Sequence, residues 1–574
     1  MEYTIRIGGE AGQGLQLIGG LLAKFLARRG YEVFTHQDYM SRIRGGHNFY
    51  QIRFADRPVT ASREAVDILV ALDLATIEIH RHALSPGGII LHDPVLAEQP
   101  FAGPEFLPVS FSGITERLQV DPIMLNAAAV GAVLGLLGLA VEPLADLFGG
   151  FIHKRTPEII ETNLAVAKAG FEEIRASYPD RLLASPPENP DRRRMLVNGS
   201  QAIGLGALAS GCRFMAAYPM TPATGIMNYL AGKAARHGLV IEQAEDEIAA
   251  INMVIGASFG GVRALTATSG GGFALMTEGL SLAAMTETPL VIIEVQRPGP
   301  ATGLPTRTEQ GDLNFVLHGG HGEFPRVVFT PGTPEQAFSL TNKAFHLAEK
   351  YQIPVIVQSD QYLADCEWTF AEFASEGLQN QDFRLRGEAL QGLDSYQRYA
   401  DNAGGISPPA VPGASRHLVV ADSDEHDRGG HISEDAATRN EMVQKRYFRK
   451  LLLLRQEIEP PRLEGHSAPE LLLIGYGSTY GVLQEAVSAL ARKQAVALLH
   501  FSEVWPFPPP DKFDYPKILK QAKRCICVEN NATGQFARLL KAEIGFDCLK
   551  RINKYDGRPF TIEGLLGEIN AYSG

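Results

Sequence analysis

Cysteine is scarce in this chain: five in 574 residues, at positions 212, 366, 525, 527 and 548. None has the spacing of a zinc or iron–sulfur site, and Cys525-x-Cys527 lies in an apolar, strand-like stretch without partners. So few thiols in so long a chain point to a reducing compartment, expected to be the cytoplasm. No basic tract stands out and the formal charge is -12, which argues against nucleic acid as a main partner. The short run Arg192-Arg193-Arg194 reads as a solvated linker. Membrane spans need about 20 unbroken apolar residues. Ile123 to Val141 is almost wholly apolar, but Asn126, three glycines and the flanking Pro122 and Pro143 make it a buried helix. Met1-Glu2-Tyr3-Thr4-Ile5-Arg6 reads as a strand and lacks the layout of a signal peptide.

What is present is an alternation of strands and helices with room for three or four domains. Residues 1–180 open with the strand Tyr3 to Ile7, the loop Gly8-Gly9-Glu10-Ala11-Gly12-Gln13-Gly14, the helix Leu15 to Arg29 and the strand Tyr31 to Thr35. Glycine amides before a helix make an anion site. The dinucleotide fingerprint fails, because Leu17 stands where glycine or alanine is wanted. The loop is then either a bare tight turn or a ligand loop. Arg42 and Arg44, beside Gly45-Gly46, either grip a phosphate or carboxylate or form an interdomain salt bridge.

Residues 181–197 carry Ser185-Pro186-Pro187-Glu188-Asn189-Pro190 and read as a linker. Residues 198–365 form a second domain, with Thr333 capping a helix that runs to Lys350. Residues 366–465 are irregular. Within them, Asp422 to Asp435 reads as a solvated acidic loop rather than a metal site, and Glu441 to Glu457 as a charged helix, an arm or partner contact. Residues 466–574 form a last strand–helix domain with interface and scaffold roles.

The most informative stretch runs from Ala217 to Gln310. It holds Tyr218-Pro219-Met220-Thr221-Pro222, then Glu245-Asp246-Glu247 before the apolar helix Ile248 to Phe259. Thr266-Ala267-Thr268-Ser269 and Gly270-Gly271-Gly272 follow. It closes on Glu294-Val295-Gln296-Arg297-Pro298-Gly299-Pro300 and Leu304-Pro305-Thr306-Arg307-Thr308-Glu309-Gln310. Leu290 to Gln296 is a near-continuous apolar run, as in a parallel strand buried on both faces. Ligands on open parallel sheets bind outside the carboxyl ends of the strands. Thr221, Glu247, Ser269 and Arg297 all fall just after such ends. From the residues alone, Arg297 is either a carboxylate-binding guanidinium or an ion-pair partner of Glu294. Thr221 is a helix cap, a ligand hydroxyl, or both.

On these motifs the chain resembles the alpha subunit of the 2-oxoacid:ferredoxin oxidoreductases, over nearly its whole length. The Tyr-Pro-x-Thr-Pro turn, the acid before a small-residue helix and the Gly-Pro-x-Thr-Gly-Leu-Pro-Thr segment occur in the family's order. The resemblance implies an α/β, multidomain, parallel-sheet thiamine-diphosphate-binding fold. It adds an N-terminal gamma-type α/β domain and a transketolase C-terminal-like domain. It implies Glu247 as the catalytic acid at the aminopyrimidine ring, with Ser269 and Gly270 near that ring. There the acid favours the tautomer that can take the thiazolium C2 proton, and burial keeps it poised. Thr221 and Arg297 become substrate residues, with Arg307 for a distal carboxylate. Gly12, Gly14, Arg42 and Arg44 become coenzyme A candidates.

The family holds its diphosphate and Mg2+ through a Gly-Asp-Gly motif. This chain has none, and Gly311-Asp312-Leu313 does not match. The resemblance therefore implies a beta subunit carrying Mg2+ and a [4Fe–4S] cluster, ferredoxin as electron acceptor, and a dimer of alpha-beta heterodimers. The fused N-terminal domain is most similar to the 2-oxoglutarate type. Pyruvate, another 2-oxoacid, or a non-redox thiamine decarboxylase are the alternatives.

Overall fold

The computed structural model describes every residue except 42–44, 97, 152–155, 403 and 573–574. The described chain divides into two units. One comprises Met1–Val197, Asp365–Glu372 and Thr561–Gly567; the other comprises Asn198–Ala364, Phe373–Phe560 and Glu568–Gly574.

The first unit is organised on a mixed sheet. Glu2–Glu10 runs parallel to Val66–Ala71 and antiparallel to His47–Ala55. His47–Ala55 also pairs antiparallel with Glu32–Asp38. The two strands flanking the helix Leu15–Arg28 are thus separated by a third, which the sequence reading did not place. The apolar stretch after Pro122 is the helix Leu125–Leu137, buried along almost its whole length. It packs on the helix Pro157–Ser177. Any Cβ at Gly131 would collide with the Ala167 carbonyl, and any at Gly170 with that of Ala128. Glycine at both crossings lets the helix backbones touch. Among the described residues no helix is long and apolar enough to cross a membrane.

The arginine run is not a solvated linker. Arg192 and Arg194 both pair with Glu32, whose side chain is 6% exposed. Two cations offset the desolvation of one buried carboxylate.

The second unit holds two sheets. In the larger, six strands run parallel, in the order Val240–Gln243, Phe214–Ala217, Ala264–Thr268, Leu290–Gln296, Pro354–Asp360 and Val327–Phe329. Glu503–Trp505 adds an antiparallel edge. Leu290–Gln296 and Pro354–Asp360 are buried at every position, as central strands covered by helices on both faces must be. The smaller sheet contains Leu471–Tyr476, Val496–Phe501 and Arg524–Glu529. The sheets share one core, in which Ile251, Phe273 and Val328 cluster with Leu472, Phe501 and Phe536. Thr333 caps the helix Pro334–Tyr351 by accepting from the Gln336 amide.

The charged helix near the end of the irregular region is not an exposed arm. It runs as Ala436–Val443, a π-helical segment Gln444–Arg449, and Lys450–Glu457. Lys445 and Lys450 are fully buried on the single carboxylate of Glu287. In the preceding acidic loop, Glu425 accepts from Arg439 and Arg446. Among the described residues no group of three His, Cys, Asp or Glu side chains could hold a metal ion.

Candidate active site

Three adjacent acids compete for the helix start, and the fold separates them. Asp246 is the N-cap, its carboxylate accepting from the Ala249 amide at 2.7 Å. Glu245 is exposed. Glu247 begins the helix Glu247–Phe259 and is 3% exposed. Its Oε1 is buried with no hydrogen-bond partner among the described residues. Burial, followed by the charge of Asp246, holds its carboxyl above the usual carboxylate range. An acid whose neutral form is favoured by burial, with one oxygen that meets no partner among the described residues, is suited to a ligand nitrogen.

The next helix, Gly270–Met285, begins beside it, with Ser269 at its N-cap. The Ser269 hydroxyl is also buried and unpartnered, and so is that of Thr266. A Cβ at Gly272 would lie 2.6 Å from Glu247 Oε1 and collide with the Thr268 hydroxyl. Glycine there lets the acid and the strand end pack closely on the helix start. Two buried polar atoms without partners among the described residues, Glu247 Oε1 and Ser269 Oγ, are what a polar heterocycle such as an aminopyrimidine would satisfy.

The Tyr-Pro-Met-Thr-Pro turn reaches the same place. The sulfur of Met220 lies 3.9 Å from the Thr268 hydroxyl. The Thr221–Pro222 peptide is cis. Thr221 is not a helix cap, since Ala223 occupies that position before the helix Thr224–Ala231. Its carbonyl instead accepts from Arg297 Nη1 at 2.7 Å. Thr221 and Arg297 are therefore in direct contact. Arg297 is half-buried at the end of Leu290–Gln296.

Glu294 is not available as the ion-pair partner of Arg297. It is wholly buried inside the sheet and accepts from Gln358 Nε2 at 3.1 Å. Burial holds the Arg297 guanidinium below its ordinary range, opposed by the negative charge of Asp312. The Asp312 amide donates to Gln296 Oε1 at 2.9 Å. A Cβ on Gly270 would collide with its carboxylate, so Asp312 sits against the start of the Gly270–Met285 helix. Sequence reasoning saw Asp312 only as a failed motif. The available signal was an acid just past a strand-end arginine, beside several other acids. Burial pushes Asp312 up to about 6 and Glu309, chiefly by the same cause, up to about 7. Glu294 is pushed far above its ordinary range by burial and by Asp312.

Arg307 lies further along the same loop. Its amide donates to the Leu304 carbonyl at 3.1 Å, and its Cβ and Cγ pack beside Gly557. In the first unit Gly12 and Gly14 both have positive φ, 103° and 78°. Together with Gln16, Asp38 and Asn48 they line a cavity of about 430 Å³. Arg42 and Arg44 lie outside the described residues.

A largely parallel sheet with a buried acid at one helix start, one of its oxygens without a partner among the described residues, and an arginine at a neighbouring strand end is the place where α/β enzymes hold their ligands. Comparison with known proteins makes this specific. Residues 205–445 match the family model described as pyruvate flavodoxin/ferredoxin oxidoreductase, thiamine diP-bdg. Residues 4–173 match that of pyruvate ferredoxin/flavodoxin oxidoreductase. A 2-oxoacid:ferredoxin oxidoreductase subunit alpha from Sulfolobus is 32% identical, over 98% of this chain and 96% of that protein. The 2-oxoglutarate oxidoreductase subunit KorA of Mycobacterium tuberculosis is 29% identical, over 98% and 90%. Among solved structures, the 2-oxoglutarate:ferredoxin oxidoreductase of Magnetococcus marinus, with 2-oxoglutarate, coenzyme A and succinyl-CoA bound, is 31% identical. It superposes with a TM-score of 0.91 over 99% of each chain. The chain belongs to the 2-oxoacid:ferredoxin oxidoreductases, as an alpha subunit. It is an oxidoreductase whose cofactor is thiamine diphosphate.

Proposed function

We propose that this chain is the alpha half of a 2-oxoglutarate:ferredoxin oxidoreductase. The reaction converts 2-oxoglutarate, coenzyme A and two oxidised ferredoxins to succinyl-CoA, CO2, a proton and two reduced ferredoxins. The reverse carboxylation uses the same site. The observation that carries the substrate choice is the whole-chain likeness to the Magnetococcus enzyme, whose structure holds 2-oxoglutarate and succinyl-CoA.

Thiamine diphosphate, when bound, supplies the electron sink for decarboxylation. Glu247 is the catalytic residue that holds a proton at Oε1 toward the aminopyrimidine. Its burial supports this role, because desolvation raises the carboxyl above its ordinary range and so favours the protonated form. Ser269 and Gly270 hold the same ring from the neighbouring helix start. Arg297 binds the oxoacid carboxylate, and Thr221, in contact with it, fixes its direction. Arg307 takes the distal carboxylate. Gly12, Gly14, Arg42 and Arg44 hold coenzyme A, with residues 1–180 acting as a gamma-type cover.

The diphosphate side, Mg2+ and the [4Fe–4S] cluster belong to a beta subunit, within a dimer of alpha-beta heterodimers that passes electrons to ferredoxin. The alpha designation of the relatives supports this, as does the lack of a Gly-Asp-Gly motif in the sequence. The test is co-expression with a beta subunit, followed by reduction of a viologen dye with each 2-oxoacid, with and without coenzyme A. The expected result is coenzyme A-dependent reduction that prefers 2-oxoglutarate. Preference for pyruvate would discard the substrate and keep the family chemistry.

A further inference from the structure

The two helices that start at Glu247 and beside Ser269 are built from almost uncharged sequence. Ile248 to Phe259 has no charged side chain and Gly270 to Met285 has Glu278 alone, in a chain that is 21% charged. Helices that are apolar on every side belong in an interior. These two are covered on one side. They pack so closely that a Cβ on Gly279 would lie 2.8 Å from the Ile251 side chain, and Ile251, Val254, Phe273 and Leu280 join the core. The other side is open. Ile248, Asn252 and Gly256 form one exposed stripe, and Gly271, Leu275 and Glu278 form another. Ile248 is 48% exposed, Leu275 49% and Met253 37%. A cleft of about 670 Å³ opens on this face, lined by Ile248, Leu275, Glu278, Met285, Phe324 and Tyr447 among others. Phe448, whose ring meets that of Tyr447, is 49% exposed. A contiguous apolar face of this kind marks a partner site.

The place of the face identifies its occupant. Both stripes begin at the residues assigned to the cofactor ring: Ile248 follows Glu247, and Gly271 follows Ser269 and Gly270. This chain has no Gly-Asp-Gly motif for the diphosphate half. The chain that carries that half must reach the same two helix starts, and from there it lies along the uncharged stripes. We propose that the outer face of Glu247–Phe259 and Gly270–Met285, with the cleft that reaches Tyr447, is the docking surface for the beta subunit, which meets it with an apolar patch of low charge. This rests on the reading of the chain as the alpha half of a shared thiamine diphosphate site.

The test reads assembly rather than turnover. Met253 is an internal probe, because dilute hydrogen peroxide converts an accessible thioether to the sulfoxide, releasing water. Its peptide is followed by mass spectrometry in the chain alone and in the complex co-expressed with the beta subunit. The expected result is oxidation at least about tenfold slower in the complex. Leu275→Glu sets an unpaired charge beneath the partner. It should weaken assembly at least about a hundredfold in sedimentation and leave the urea midpoint of the chain alone unchanged, since half of this side chain is in solvent. Leu418→Glu, at an exposed leucine that does not line the cleft, should assemble like the wild type. Met253 oxidised equally fast in the complex overturns the proposal without any variant. So does a Leu275→Glu chain that assembles normally, or a Leu418→Glu chain that is equally impaired. A chain that dimerises by itself, and that Leu275→Glu makes monomeric without loss of beta binding, assigns the face to a second copy and also overturns it. A complex that protects Met253 yet reduces no dye with any 2-oxoacid upholds the docking face and discards the proposed function. An active complex with Met253 unprotected does the reverse.

Discussion

Replacing Glu247 by glutamine should make the protein more stable and almost inactive. The side chain is 3% exposed, begins a helix and keeps one oxygen with no partner. A buried acceptor without a donor costs about 1–3 kcal/mol, and more when charged. Glutamine keeps the volume and removes the ionisable group that Asp246 opposes. The chain without cofactor should therefore gain on the order of 1 kcal/mol, read as a higher urea midpoint at unchanged slope. Activity should fall at least about a hundredfold in kcat, the usual scale for an acid–base group, or about 2.7 kcal/mol of barrier. The assay is viologen reduction by the complex with the beta subunit, at saturating 2-oxoacid and thiamine diphosphate. Opposite movement of stability and turnover is the signature of a strained functional residue. A Glu247→Gln complex within tenfold of wild-type kcat would refute the assignment. Loss of both stability and activity would show that Glu247 serves the fold.

Gly272→Ala places a methyl 2.6 Å from Glu247 Oε1 and into the Thr268 hydroxyl; it should raise the thiamine diphosphate concentration needed for half activity at least tenfold, checked by cofactor titration. Asp246→Ala removes an N-cap bond of 2.7 Å and should cost about 1 kcal/mol in chemical denaturation. Glu287→Gln removes the counter-charge of two fully buried lysines; it should destabilise the chain by about 3–5 kcal/mol, whereas Lys523→Ala, at a pair that is largely exposed, should leave the denaturation midpoint within error.

Much of the site was legible because it is local. Strand, turn and helix start follow one another within a few residues, so the position of Glu247 is set by its own neighbours. The alternation of apolar runs announced Leu290–Gln296 as a central strand, and it is buried at every position. The capping signal at Thr333 is likewise contained in four residues. Where the reading went astray, charge was the reason. The arginines at 192 and 194 and the lysines at 445 and 450 were assigned to solvent or a partner, because isolated charges usually belong there. Each set instead meets a single buried glutamate, 158 or more residues away.

The sequence by itself determined the periodicities, the helix starts and the order of the motifs, and through that order the resemblance to the family. The tertiary structure alone decided which of three acids is buried, since only packing against Gly272 distinguishes Glu247 from Glu245. It alone put the Glu294 carboxylate on Gln358 and the Arg297 guanidinium on the Thr221 carbonyl, so the two sequence neighbours do not pair. Burial and hydrogen-bond partners depend on what the rest of the chain brings to a point, and no local pattern encodes that distance.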